Sequence, residues 1–360
     1  MRNALLIALL LIAAPLQLIQ EEDYLETEDK ENPVINRTSL ARTYTSTVLE
    51  SNHFHTSVNT IFFEHLNQSG GIPNPGESKL FAAGWACAMS ANPPDECSLY
   101  DSTGTNISIP TGVTCGSPLF AGSFASNGSF DGAIGGSCYG VRIDAMMQLS
   151  NGDMLYAGSF CWVGAASQGC NLSNSGVQLD PIANDDAFIL RVDSNGTWKW
   201  GQVLGGLSSW DIVTDLAEAP NGDIYAFISY CNQNNGNECE IESELSYSNT
   251  TVGAQDLLLV KISSSGSMQW ARNMGSTAED AGIANYWYPL RERGMYATPD
   301  GGVIVGSSGC EGQGQGCSFE FNDDDYFVGH KSFISKYDAD GDIEWFEEIP
   351  AAFLQSMSRV

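Results

Sequence analysis

The residues best suited to chemistry are the acids of Asp338-Ala339-Asp340-Gly341-Asp342-Ile343-Glu344. Oxygen donors at alternate positions around a turn-forming glycine are the pattern of a calcium loop. Asp338, Asp340, Asp342 and Glu344 are therefore the metal candidates, and calcium is the candidate cofactor. Beyond calcium the cofactor is unknown. Two sibling segments compete with this reading: Asp193-Ser194-Asn195-Gly196-Thr197 and Ser263-Ser264-Ser265-Gly266-Ser267. They keep the length and the glycine with fewer acids, so all three also read as hairpin turns that need no ligand. A second acidic cluster, Asn322-Asp323-Asp324-Asp325, reads as a solvated charge run. Among His53, His55, His65 and His330, only His53 and His55 share a face of an extended segment. No acid or cysteine stands at a metal-ligand spacing from them. The chain has no Gly-x-Ser-x-Gly elbow, so a hydrolase triad of that kind has no support. Gly312-Gln313-Gly314-Gln315-Gly316 mimics a phosphate loop but lies between two cysteines with no helix after it. No catalytic residue is assigned.

Charge narrows the partners. The chain carries 15 Lys+Arg against 44 Asp+Glu, a net charge of −29. Such a surface repels phosphate backbones and anionic membranes, which excludes nucleic acid as a partner. Cations, basic proteins and neutral glycans stay open. At the start, Met1-Arg2-Asn3 is followed by an uncharged run from Ala4 to Leu16. That run is shorter than the roughly 20 residues of a membrane span and fits a secretory signal over 1–19. An uncleaved anchor is the competing reading, and no further membrane span is expected. Residues 20–53 are acidic, without a long apolar pattern, and read as a flexible lead-in.

The ten cysteines agree with export. Cys87 and Cys97, Cys161 and Cys170, Cys231 and Cys239, and Cys310 and Cys317 stand ten to seven residues apart, each pair around a polar stretch. Zinc would want closer pairs. The expectation is a disulfide across the base of each loop, with Cys115 and Cys138 left to pair with each other. Seven Asn-x-Ser/Thr sequons, at Asn36, Asn67, Asn106, Asn127, Asn171, Asn195 and Asn249, mark candidate glycosylation sites.

An internal repeat must position all of these groups. The block from Asp186 through Asp193 to Trp200 recurs from Asp256 to Trp270 and from Lys331 to Trp345. A degenerate copy starts at Pro118, with Ala125 and Gly132 where the other copies have Asp or Ser and Trp. A second block precedes each, as in Asn151-Gly152-Asp153 to Cys161 and Asn221-Gly222-Asp223 to Cys231. Short β-branched and aromatic runs bounded by Asn-Gly read as strands, buried on both faces where polar alternation is missing. Four antiparallel strands per repeat, repeated radially, are the blades of a β-propeller. The fold class expected is all-β: a β-propeller of about four repeats of 70–79 residues. Their approximate ranges are 54–140, 141–210, 211–281 and 282–350, filling 54–350. Residues 351–360 read as a clasp or as the start of a further repeat. The second reading is preferred and implies an incomplete ring, with the first and fourth repeats apart.

The block Asp-x-Phe-Ile-x-Arg-Val-Asp-x-x-Gly-x-x-x-Trp, followed by Gly-Gly and an Asn-Gly-Asp strand, resembles the SBBP-type β-propeller repeats of secreted prokaryotic proteins. It is more distantly similar to quinoprotein-like propellers. The resemblance implies a secreted or cell-surface scaffold and leaves the activity open. The disulfide loops are not part of the general pattern. The function expected is non-catalytic binding of an extracellular protein or glycan through those loops. The alternative is a propeller hydrolase, lyase or quinoprotein-like oxidoreductase with its site at the axial mouth. Trp200, Trp270 and Trp345 occupy equal repeat positions and are expected to pack between repeats; stacking on a sugar or quinone is the competing role.

Overall fold

The computed structural model describes residues 50–51, 57–63, 80–85, 99–100, 105–107, 119–124, 130–135, 141–161, 170–183, 185–206, 211–230, 240–243, 248–250, 256–276, 294–308, 317–321, 324–328 and 332–349. The expected signal, nearly all of the lead-in, the four histidines and the tail 351–360 lie outside them. So do Cys87, Cys97, Cys115, Cys138, Cys231, Cys239, Cys310, Asn36, Asn67, Asn127, Asn322 and Asp323. The described residues form strands, turns and bends without a helix. Hence no helix among them is long and apolar enough to cross a membrane.

Strand β1 (Glu50–Ser51) precedes the first large sheet. Sheet I holds β2 (Ser57–Phe63), β3 (Leu80–Trp85), β6 (Leu119–Phe124) and β7 (Phe130–Gly135), while β4 (Leu99–Tyr100) and β5 (Asn106–Ile107) join β1 in a small side sheet. Sheet II holds β8 (Arg142–Gln148), β9 (Met154–Phe160), β12 (Asp186–Val192) and β13 (Trp198–Gly206), with the hairpin β10 (Leu172–Asn174) and β11 (Val177–Leu179) between β9 and β12. Sheet III holds β14 (Ile212–Glu218), β15 (Ile224–Tyr230), β18 (Asp256–Ile262) and β19 (Met268–Ser276). Between β15 and β18 lies a hairpin of β16 (Glu240–Ser243) and β17 (Ser248–Thr250). Sheet IV holds β20 (Met295–Ala297), β21 (Val303–Ser308), β24 (Ser332–Tyr337) and β25 (Ile343–Ile349), with the hairpin β22 (Cys317–Phe321) and β23 (Asp324–Val328) between β21 and β24. All four are antiparallel meanders of identical order.

Alternation along the strands explains the packing. In β9 every residue is buried. Met154, Tyr156 and Phe160 join Phe188 and Leu190 in a core shared with Ala83 and Ala121 of sheet I. Leu155 and Ala157 join Ala187 and Ile189 in a core shared with Ile224, Ala226 and Leu258 of sheet III. Tyr225, Phe227 and Leu259 then pack on Val303, Val305 and Phe333 of sheet IV. Sheets II and III thus each spend one face on the preceding sheet and the other on the following one. Each fully buried large apolar side chain contributes about 1.5–3 kcal/mol. The described strands of sheets I and IV share no broad contact.

The turns follow the repeat. Gly152, Gly222 and Gly301 close the first turn of sheets II, III and IV at φ 90°, 84° and 90°. Gly196, Gly266 and Gly341 close the second hairpin at φ 80°, 94° and 85°. These are left-handed values that cost a β-carbon and favour glycine. A bulge falls at one place in three sheets, between Arg191 and Val192, Lys261 and Ile262, and Lys336 and Tyr337. In sheet I the corresponding strands β6 and β7 pair straight through, Ser123 with Asp131 and Phe124 with Phe130. The eroded first copy therefore also differs in register.

The loop hairpins do something the sequence pattern does not show. Strand β16 pairs with β13, and β22 pairs with β19. These two hairpins reach back and extend sheets II and III to six strands, while β10–β11 forms a two-stranded sheet of its own. The acids Asp324 and Asp325 accordingly lie in a paired strand, opposite Phe321 and Glu320.

Gly158 tests the packing of the first strand pair. A β-carbon there would lie 1.9 Å from the Arg142 carbonyl oxygen. Gly158→Ala is expected to lower unfolding free energy by about 3 kcal/mol or more in urea titrations.

Candidate functional site

The metal candidates sit in the second hairpin turn of sheet IV. The Asp338 carboxylate accepts backbone N–H bonds from Asp340 and Asp342, both at 2.9 Å. Asp193 does the same for Asn195 and Thr197, and Ser263 Oγ accepts from Ser267 N–H. The first residue of each turn is therefore a local cap, which explains why Asp and Ser alternate there. Glu344 is turned away from the turn and pairs with Lys336 at 2.6 Å. Asp342 lies 4.0 Å from Arg272 of sheet III, and the Asp340 carbonyl accepts from the same guanidinium. Among the described residues no three His, Cys, Asp or Glu side chains converge to hold a metal. Of the four candidates, Asp338 caps its own turn and Glu344 pairs with Lys336, while Asp340 meets Arg272 through its backbone carbonyl.

The three tryptophans occupy one register, opposite Arg191, Lys261 and Lys336. Trp200 donates its indole N–H to the Ser264 carbonyl at 3.1 Å, and Trp270 donates to the Ala339 carbonyl at 3.0 Å. Both acceptors belong to the turn of the following sheet. Both indole N–H groups are thus used between sheets.

The opposite ends of the sheets hold a group of acids that sequence reading passed over. Asp185, at φ 58°, donates its N–H to the Cys161 carbonyl and accepts at its own carbonyl from Asp211 N–H. The Asp211 carboxylate accepts from Gly206 N–H at 3.0 Å. Asp186 is fully buried; its Oδ2 accepts from Ala183 N–H at 2.8 Å, and its Oδ1 has no hydrogen-bond partner. Gly205 leaves the space that this carboxyl fills. In sheet III, Asp256 and Gly275 repeat the pair, and the Asp215 carboxylate accepts from Met295 N–H of sheet IV at 3.0 Å. Burial, then the adjacent Asp186, pushes Asp185 up to about 7 against a smaller pull from Arg142. Burial pushes Asp186 up to about 6. The Asp at the head of two blocks, Asp186 and Asp256, was the available signal. Its burial depends on a glycine nineteen residues later, which only pairing of the two strands brings over it.

Cys161 and Cys170 form a disulfide with Cα atoms 5.8 Å apart, closing the loop between β9 and β12. Cys317 opens β22. Of the sequons, Asn195 is exposed at the tip of a turn, Asn171 precedes β10, Asn106 opens β5, and Asn249 sits in the middle of β17.

Two outcomes follow. Asp338→Ala removes two carboxylate–backbone bonds and is expected to cost about 1 kcal/mol by urea titration, with calcium leaving the parent protein's midpoint unchanged. Asp185 binds a proton in the native state at a pH where the unfolded chain has lost it. Native stability therefore falls as pH rises from about 4 to about 7. The melting temperature should be higher at pH 5 than at pH 8, and Asp185→Asn should shrink that difference.

No family model matches the chain. No curated protein matches it. Among solved structures, a protein of unknown function from Dyadobacter fermentans DSM 18053 is similar at 12% identity and a TM-score of 0.33. The match covers 75% of this chain and 65% of that one, so this chain spans less than two thirds of its length.

Proposed function

We propose that this chain is a secreted or cell-surface repeat scaffold of the β-propeller type that binds through its inserted loops and carries out no reaction. The observation that supports the reading is a division of labour. Polar side chains at repeated positions hold one sheet to the next. The segments between second and third strands differ in sequence and each carry a hairpin, β10–β11, β16–β17 or β22–β23. Rigid frames with variable loops are how binding surfaces are made. A disulfide in one such loop suits an oxidising compartment. The acidic surface suits an extracellular protein or a neutral glycan as partner and opposes nucleic acid.

One observation favours the enzyme reading: the adjacent buried acids Asp185 and Asp186, poised near neutral pH. Their contacts favour a structural role, since the described partners are backbone groups and the Arg142 and Asp144 charges of their own sheet.

The test is a glycan array and a panel of extracellular-matrix proteins probed with protein purified from the medium. Residues 162–169 are then replaced by a Gly/Ser linker between the retained Cys161 and Cys170. Expected are a selective ligand for the parent, loss of it in at least one such loop replacement, and an unchanged melting temperature. Thiol titration of the unreduced, denatured protein is expected to find no reactive cysteine. Ten reactive thiols, or binding indifferent to every loop, would sink the proposal.

A further inference from the structure

We propose that Asn195 is a self-modification site: its side-chain amide is lost to the backbone of Gly196 through a succinimide, which leaves an acid at the tip of the second turn of sheet II. The proposal stands on the turn itself, independently of the ligand-binding reading.

The chemistry needs only water and its hydroxide. The Gly196 nitrogen gives its proton to hydroxide and attacks Cγ of Asn195. A nitrogen–Cγ bond forms, the Cγ–Nδ2 bond breaks, and Nδ2 takes up a proton and leaves as ammonia. Water then opens the ring at either carbonyl, giving aspartate or isoaspartate. Glycine favours the closure because it has no β-carbon to crowd the attack. The sequence has five Asn-Gly pairs, and three of them, headed by Asn151, Asn195 and Asn221, lie in described turns.

Exposure does not separate the three, since all are exposed. The backbone does not separate them either. Gly152, Gly196 and Gly222 are all left-handed, and each donates its N–H to the carbonyl three residues back, at 2.9, 2.9 and 2.8 Å. The side chains differ. Asn151 Oδ1 accepts from the Asp153 N–H at 3.0 Å, and its Nδ2 donates to the Asp153 carboxylate at 3.1 Å. Asn221 makes the same two bonds to Asp223, at 3.1 and 2.8 Å. Arg191 and Lys261 hold those two acids in turn. Each amide must break both bonds before it can turn toward the glycine nitrogen. In the second turn of sheet II the cap is Asp193, whose carboxylate takes the N–H groups of Asn195 and Thr197. The Asn195 amide makes no hydrogen bond to a described residue.

This turn also lacks the indole that lies on its siblings. Arg191 Nη1 and Trp200 Nε1 both donate to the Ser264 carbonyl, and Gln202 Nε2 donates to the Gly266 carbonyl at 2.7 Å. One sheet on, Lys261 Nζ and Trp270 Nε1 donate to the Ala339 carbonyl, and Arg272 Nε to the Gly341 carbonyl at 2.7 Å. A β-carbon at Gly266 would lie 2.7 Å from Trp200, and one at Gly341 would lie 2.9 Å from Trp270. The copy preceding sheet II is the eroded one, with Gly132 in the tryptophan's place. The acid product fits the turn. Sheet IV already carries Asp340 at this position, with its N–H on Asp338 as that of Asn195 is on Asp193.

Asn195 also heads a sequon, and a glycan on Nδ2 blocks the loss. The test therefore uses the full chain exported from a bacterial host that leaves sequons bare. It is aged at pH 8, native and in urea, then reduced and mapped by mass after trypsin. Cleavage after Arg191 and Lys199 frees residues 192–199 as one peptide, apart from those holding Asn151 and Asn221. In the native chain Asn195 is expected to lose its amide about tenfold faster than either, the difference made by two hydrogen bonds that need not break. In urea the three rates are expected to converge. Asn195→Asp is expected to keep the parent's melting temperature. A native Asn195 no faster than Asn151 and Asn221, or a lead that persists undiminished in urea, would overturn the proposal. A lower melting temperature in Asn195→Asp would overturn the fit of the product to the turn.

Discussion

Everything in this structure depends on strands that are apolar on both faces. Phe188 and Ile189 are neighbours in one strand, both fully buried, and they point into different cores. Such a strand is stable only between two layers. Sheet II needs sheet I on one side and sheet III on the other, and the same demand passes along the chain. The repeat is therefore no copy of a self-sufficient unit. It is a unit that takes its second face from its neighbour, in the manner of stacked repeat proteins.

Polar groups set the order and spacing that apolar burial alone would leave free. The cation, indole and amide or guanidinium of one sheet end on carbonyls of the next turn, groups a hairpin cannot satisfy within itself. Leaving such a carbonyl dry costs about 1–3 kcal/mol, so register between sheets is fixed by these bonds. At the other end, Asp215 of sheet III receives the Met295 N–H of sheet IV. Asp211, at the start of sheet III, receives the Gly206 N–H at the end of sheet II. Both rims of the II–III and III–IV contacts are thus pinned, and the buried acids are better understood as struts than as reagents.

The inserted loops add a third tie. Hairpins β16–β17 and β22–β23 pair with the outermost strands of the preceding sheets. An exposed strand edge invites pairing with other chains, and covering it with a neighbour's loop removes that liability. The same insertion projects variable residues from a fixed base.

The sequence by itself determined the repeat, the four-stranded sheets, the positive-φ glycines and the span of the Cys161–Cys170 bridge. These are local matters: strand composition, turn chemistry and a loop of nine residues are decided by near neighbours. It also placed the three tryptophans in one register, because a repeat carries its register with it. The sequence left undecided whether Asp338, Asp340, Asp342 and Glu344 form a ligand set or a turn. Tertiary structure decided where those side chains go, since Glu344 is drawn to Lys336 across the sheet and the Asp342 carboxylate stands 4.0 Å from Arg272 of the adjacent one. Only the tertiary structure showed that two of the loop hairpins reach backward, that Asp186 fills the space above Gly205, and that Trp345 is exposed where its siblings meet a turn. Those facts rest on which strands lie side by side at separations of tens of residues, and no local pattern encodes that distance.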